Sequence, residues 1–423
     1  MNRPKNHCDD SCLQLGLLFL MTFYSFFCAA STVKVDQNGK VKTIHEALVM
    51  TTPGDTVLVY GGNYSEGTIL IDKPLTLIGI DRPIIDGHDR ESDIIIIASD
   101  SVTLEGFTIQ NAGTSYIKDL AGIRVRRKNS FVIRNNHLIN TMFGIYLEKA
   151  NDGKIVDNQV IGQAIEEVSS GNGIHAWYCK NLFISGNTIE SHRDGIYFEF
   201  VESSQLIDNI SRNNLRYGLH FMFSNNDEYT NNLFEKNGAG VAVMFSKNIN
   251  MYHNTFTNNW GSASYGLLLK EIYDARIEEN IFDGNTMGIK VDGSTRVTYH
   301  NNDFENNGWA IKFVGGSYDN KINNNNFISN SFDLVLESAR NNNTIDGNYW
   351  SSYTGYDLDK NGIGDIPFRP VKLFSYIVSR TPESMVLLRS LFIDIIDFSE
   401  KVRPMFTPEN VMDHAPLINK VVY

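Results

Sequence analysis

The sequence predicts an all-β fold, a right-handed parallel β-helix solenoid with a short N-terminal capping helix and a C-terminal helical tail. Two repeats running in phase predict it. The first reads GIRVR at Gly122, GIYLE at Gly144, GIHAW at Gly173, GIYFE at Gly195, GLHFM at Gly218, GVAVM at Gly240, GLLLK at Gly266 and GIKVD at Gly288. Its period of about 22 residues is too short for a propeller blade or a strand-helix-strand unit and suits one coil of a solenoid. After each glycine the residues alternate, as in Ile145, Tyr146, Leu147 and Glu148, so one set faces the core and the other faces out. The second repeat is an asparagine at Asn136, Asn158, Asn187, Asn232, Asn254, Asn280, Asn302, Asn325 and Asn348, with a weaker copy at Asn209. It falls where each coil must turn. Asparagine tolerates left-handed backbone, and its amide can bond to the copies above and below.

Residues 1–30 read as a signal peptide. Arg3 and Lys5 precede an apolar run from Leu13 to Phe27, and Cys28, Ala29 and Ala30 supply small residues for cleavage. An exported, periplasmic protein is expected. Cys8, Cys12 and Cys28 leave with the leader, so Cys179 is alone and no intrachain disulfide can form. The formal net charge of -12 argues against nucleic acid as a partner, which would want a basic stripe.

The solenoid is expected over 31–350. Val41 to Met50, with Ile44, Ala47 and Leu48 on one face, reads as a short helix covering the open first coil. The spacing lengthens at 111–119, at 164–172 and at 260–265, where loops should bulge and could make a binding face. Over 351–370 an Asp-rich loop breaks the pattern. Asp357, Asp359, Asn361, Gly362 and Asp365 match the opening of a calcium loop, although its twelfth place is Phe368 rather than glutamate. Calcium is therefore a candidate cofactor, and an Asx-rich turn without an ion is the alternative. Over 371–423 a helical tail is expected, too interrupted by Arg389, Asp394 and Asp397 to span a membrane. It either caps the last coil or docks a membrane partner.

The glycines align the outward positions into two columns. One runs Arg124, Tyr146, His175, Tyr197, His220, Ala242, Leu268, Lys290, Lys312; the other runs Arg126, Glu148, Trp177, Glu199, Met222, Met244, Lys270, Asp292. With rungs about 4.8 Å apart, His220, Met222 and Met244 come within reach of one ion, with His175 further along the same face. Imidazole and thioether favour Cu(I) over harder ions. A protein-contact patch is the competing reading, since methionine suits adaptable surfaces. No catalytic residues are assigned. Glu148 and Glu199 are two rungs apart, near the upper limit for a glycosidase pair. Tyr146, Trp177 and Tyr197 could stack on sugar rings, so a carbohydrate-binding or polysaccharide-degrading β-helix is the alternative function.

Three segments carry a resemblance: YGLHFMFSNND, then GAGVAVMFSKNINMYHNTFTNNWGSASYGLLLKEIYDARIEEN, then GNYWSSYTGYDLDKNGIGDIPFRP with its helical tail and a closing DHAPLI. They resemble the NosD family, periplasmic β-helix proteins that mature nitrous-oxide reductase. The likeness runs from Pro53 to the end of the chain. It implies a non-enzymatic assembly factor that works with a membrane ABC transporter (NosF and NosY), a copper-chaperone lipoprotein (NosL) and the apo nitrous-oxide reductase, helping to build its copper-sulfide centre. The resemblance does not itself assign ligands to His220, Met222 or Met244.

Overall fold

A computed structural model of the chain describes residues 30–337, 342–388, 390–402 and 411–423. The expected leader, apart from Ala30, its three cysteines and Arg389 lie outside them. Short strands wind into about 14 turns, forming three parallel sheets of 14, 12 and 13 strands. Consecutive coils pair in register, for example Ile145 with Ile174 and Phe221 with Val243, and the chain is the expected parallel solenoid.

The alternation after each glycine has the expected outcome. Ile145, Leu147, Ile196, Phe198, Val241 and Val243 are fully buried, stacked on their equivalents above and below. The glycine itself is a matter of space. A Cβ on Gly240 would lie 2.3 Å from the carbonyl oxygen of Gly266 on the next rung, so a larger residue would push the rungs apart. Phe234, Phe256, Phe282, Phe304, Phe327 and Trp350 form a further inner stack, with ring centroids 4.2–5.4 Å apart.

The asparagine ladder is continuous from Asn136 to Asn348. Asn232 is typical: its amide nitrogen donates to the carbonyls of Leu206 and of the Asn254 side chain, both at 2.9 Å. Its own carbonyl accepts from the backbone and side-chain nitrogens of Asn209, so Asn209 is a full rung rather than a weak copy. The left-handed residue is the one before the ladder position, such as Asn135, Asp208 and Asn231. A second ladder, Asn214, Asn237, Asn259, Asn285, Asn307 and Asn330, stands at the next corner and was not picked out from the sequence.

Both ends are covered. At the start, α1 (Ile44–Met50) buries Ile44, Ala47 and Leu48, and Thr43 caps it by accepting from the Glu46 amide. At the far end, α2 (Leu373–Arg380), a 3₁₀ turn (Pro382–Leu387) and α3 (Leu391–Val402) follow the Asp-rich loop. Phe374, Val378 and Ile393 pack on Phe332 and Val335 of the last coils. The final residues return as an extended strap. Within it, Asp413 accepts from the backbone of Gly347, Asn348 and Ala415, the Asn348 side chain and Trp350 Nε1. The carboxylate thus ends the asparagine ladder. Among the described residues no helix is long and apolar enough to cross a membrane.

Candidate functional site

The outward columns lie on the 12-stranded sheet, and strand register joins them as the glycine alignment requires. Tyr146, His175, Tyr197, His220 and Ala242 follow one another, beside Trp177, Glu199, Met222 and Met244. His220 and Met222 share the strand Tyr217–Met222, and Met222 pairs directly with Met244. These three candidate ligands are therefore neighbours.

His175 is set apart from them. Tyr197 occupies the rung between His175 and His220, and its ring stacks on His175 at 4.8 Å while Tyr146 stacks on the other face at 4.4 Å. The Asn172 amide nitrogen lies 2.9 Å from His175 Nδ1, and the Asn172 carbonyl accepts from Arg193. That orientation makes Nδ1 the acceptor and leaves the ring proton on Nε2. Burial pushes the imidazole pKa down to about 3, so His175 is a neutral, stacked ring.

His220 is 6% exposed, and neither ring nitrogen has a hydrogen-bond partner among the described residues. Nδ1 lies 3.6 Å from Asp194 Oδ2. Asp194 is fully buried and held by Arg216 through two bonds of 2.9 and 2.6 Å. Burial alone would push the Asp194 carboxyl up, but His220 and Arg216 outweigh it and hold the pKa below the usual carboxylate value. Tyr197 meets the His220 ring edge-on at 4.9 Å and Tyr217 covers it at 4.8 Å. Below, Met244 packs against an apolar cluster of Ala239, Ala242, Tyr265 and Leu268.

Asp194, Arg216, Tyr217 and Tyr265 were missed by sequence reasoning. Asp194, Tyr217 and Tyr265 stand one place before a repeat glycine, where counting by twos from the glycine gives no outward column, and Arg216 stands two places before Gly218, ahead of both columns. The chain bends there, and Phe143 at the equivalent place touches the outward rings of Tyr146 and His175. A column taken one place before each glycine would have found Asp194, Tyr217 and Tyr265.

The three lengthened loops project from one corner, where the chain passes from the 13-stranded to the 12-stranded sheet. Each carries an exposed apolar side chain, including Ile117, Ile165 and Trp260. The strand of His220 is two rungs from the strand after the second loop and two from the strand after the third.

The Asp-rich loop closes on its own amides. Asp357 accepts from the backbone of Asn361 and Gly362, Asp359 from Asn361, and Asp365 from Leu358; the Asn361 side-chain carbonyl accepts from Ile363. Gly362, with φ +87°, makes the turn. Phe368 packs on Trp350 and pairs with Asp413 of the strap. Among the described residues no three His, Cys, Asp or Glu side chains gather as a metal-holding group. A buried imidazole nitrogen without a partner beside two methionines is a donor set that fits a soft, low-coordinate ion.

Two family models match the chain: one described as periplasmic copper-binding protein (NosD) over 156–355, and one described as right handed beta helix region over 78–177. The first description agrees with the periplasmic location expected from the leader. A probable ABC transporter binding protein NosD of Pseudomonas aeruginosa is 29% identical over 84% of this chain and 86% of its own length. The Stutzerimonas stutzeri protein of the same description is 26% identical over 84% and 85%. Among solved structures, the A-module of an Azotobacter vinelandii mannuronan C-5 epimerase aligns with TM-score 0.52 and 12% identity, over 73% of this chain and 93% of its own. A family 28 exopolygalacturonase of Yersinia enterocolitica aligns with TM-score 0.52 and 11% identity, over 75% and 79%. At these identities the structural likeness concerns the solenoid alone. The chain thus matches the NosD family model over 156–355 and aligns with NosD proteins along 84% of its length.

Proposed function

We propose that this protein is a non-enzymatic periplasmic maturation factor that presents a Cu(I) transfer face. In this reading it works with a membrane ABC transporter and a copper-chaperone lipoprotein to assemble the copper-sulfide centre of apo nitrous-oxide reductase. Copper is cargo here, held at His220, Met222 and Met244. The observation that carries the reading is the juxtaposition of the Met222–Met244 pair with the buried, unpartnered ring of His220. His175 takes no part in binding, because the Tyr197 ring separates it from His220.

The carbohydrate reading is weaker for a physical reason. Stacking on a sugar needs an open aromatic face, and Tyr146, His175 and Tyr197 spend their faces on one another. Glu148 is paired with Arg126 at 3.0 Å, which leaves it poorly suited to acid–base work.

The test is Cu(I) binding to the purified chain under reducing conditions, by competition with a chromophoric chelator. Met222→Ala and Met244→Ala should each weaken binding by about tenfold or more, taking one lost ligand as at least 1.4 kcal/mol, while His175→Gln should leave it unchanged. Equal affinity in parent and methionine variants would remove the face as a transfer site. For the Asp-rich loop we propose calcium as a structural ion on its residue pattern. Adding calcium to chelator-treated protein should raise the melting temperature; no rise would leave an amide-closed turn.

A further inference from the structure

We propose that Asp194 is a positioning residue that fixes the tautomer of His220, so that Nδ1 carries the proton and Nε2 is the metal-binding nitrogen. The inference rests on the Cu(I) face proposed above and adds the atom that binds and the group that aims it. Arg216 grips Asp194 from one side through Nε and a terminal nitrogen. That pins the carboxylate where its Oδ2 faces His220 Nδ1 at 3.6 Å, within ion-pair range. A carboxylate only accepts, so it selects the Nδ1–H tautomer and leaves the lone pair on Nε2.

Nε2 is buried and has no hydrogen-bond partner among the described residues. An unpaired buried nitrogen costs stability unless something else uses it. Arg216 also lies 5.0 Å over the Tyr217 ring, and Tyr217 covers His220. The ion pair and the aromatic cover are thus one unit, and an arriving ion must displace part of that cover to reach Nε2. Histidines bound to metals commonly donate their second ring nitrogen to a carboxylate, and losing that partner costs about 10- to 100-fold in metal affinity.

The experiment uses the full mature chain with ¹⁵N-labelled histidine, His220 being assigned by its absence in His220→Gln. In the metal-free parent, the ¹⁵N shifts should report the Nδ1–H tautomer. Asp194→Asn should invert it, because the amide can donate to Nδ1, and Cu(I) affinity should fall about 10- to 100-fold. A parent with Nε2–H, or an Asp194→Asn variant that melts normally and binds Cu(I) as the parent does while His220→Gln does not, would overturn the proposal. If the parent binds no Cu(I), the transfer-face reading fails instead, and the tautomer measurement still decides what Asp194 does. If Asp194→Asn does not fold, the parent's tautomer remains decisive.

Discussion

His192 shows what one buried side chain does to this fold. It stands just before the Asp194 strand at 1% exposure, and burial pushes its pKa down to about 4, offset only in part by the Met142 carbonyl. The unfolded chain takes up a proton below about pH 6.5; the folded chain does not until about pH 4. This contribution is therefore fully favourable above pH 6.5 and is lost as pH falls towards 4, at about 1 kcal/mol per pH unit. His175, pushed down to about 3, acts in the same direction. Denaturant unfolding at pH 7 and pH 5 should show the loss, and His192→Gln should make the slope shallower. An unchanged slope would mean that the ring is protonated in the folded state. At this scale the sequence was partly legible. The Met222, Met244 and His220 alignment could be read from the glycine repeat, whereas the Asp194–Arg216 pair could not, because Asp194, one place before Gly195, falls on the inward parity of the repeat.

Among the elements, the strap at the far end controls the last coils. Asp413 gathers five N–H donors from Gly347, Asn348, Trp350 and Ala415. Asp413→Ala would leave several buried donors unpaired, at a cost of about 3 kcal/mol. Amide exchange should then speed up around Asn348 while α1 keeps its protection; a uniform change along the chain would contradict a local role. The first asparagine ladder and the helical stretches were legible because each follows from local pattern. The strap was not, since its bonds join residues more than sixty positions apart. The tail helices present a second prediction. Phe392, Ile395 and Phe398 are 60%, 54% and 67% exposed on α3, while Ile393 is buried against the last coils. We propose the exposed face as the contact with the membrane transporter. Replacing the three with serine should preserve the melting temperature and abolish co-purification with that transporter; retained co-purification would move the contact elsewhere.

Taken as a whole molecule, the solenoid is a ruler that fixes side chains at rung spacing, because each coil is bonded to the next across three sheets. Such a frame can hold a transfer face between the corner loops and the end helices without needing a pocket. Its fold follows from repetition and was almost wholly readable; the proposed transfer face depends on a few side chains within that repetition. The measurement that tests the transfer face most directly is copper X-ray absorption on the Cu(I)-loaded chain. The expected first shell is sulfur from Met222 and Met244 with one imidazole nitrogen, losing sulfur scattering in the double alanine variant. A shell of nitrogen and oxygen alone, or one unchanged by the double substitution, would contradict it.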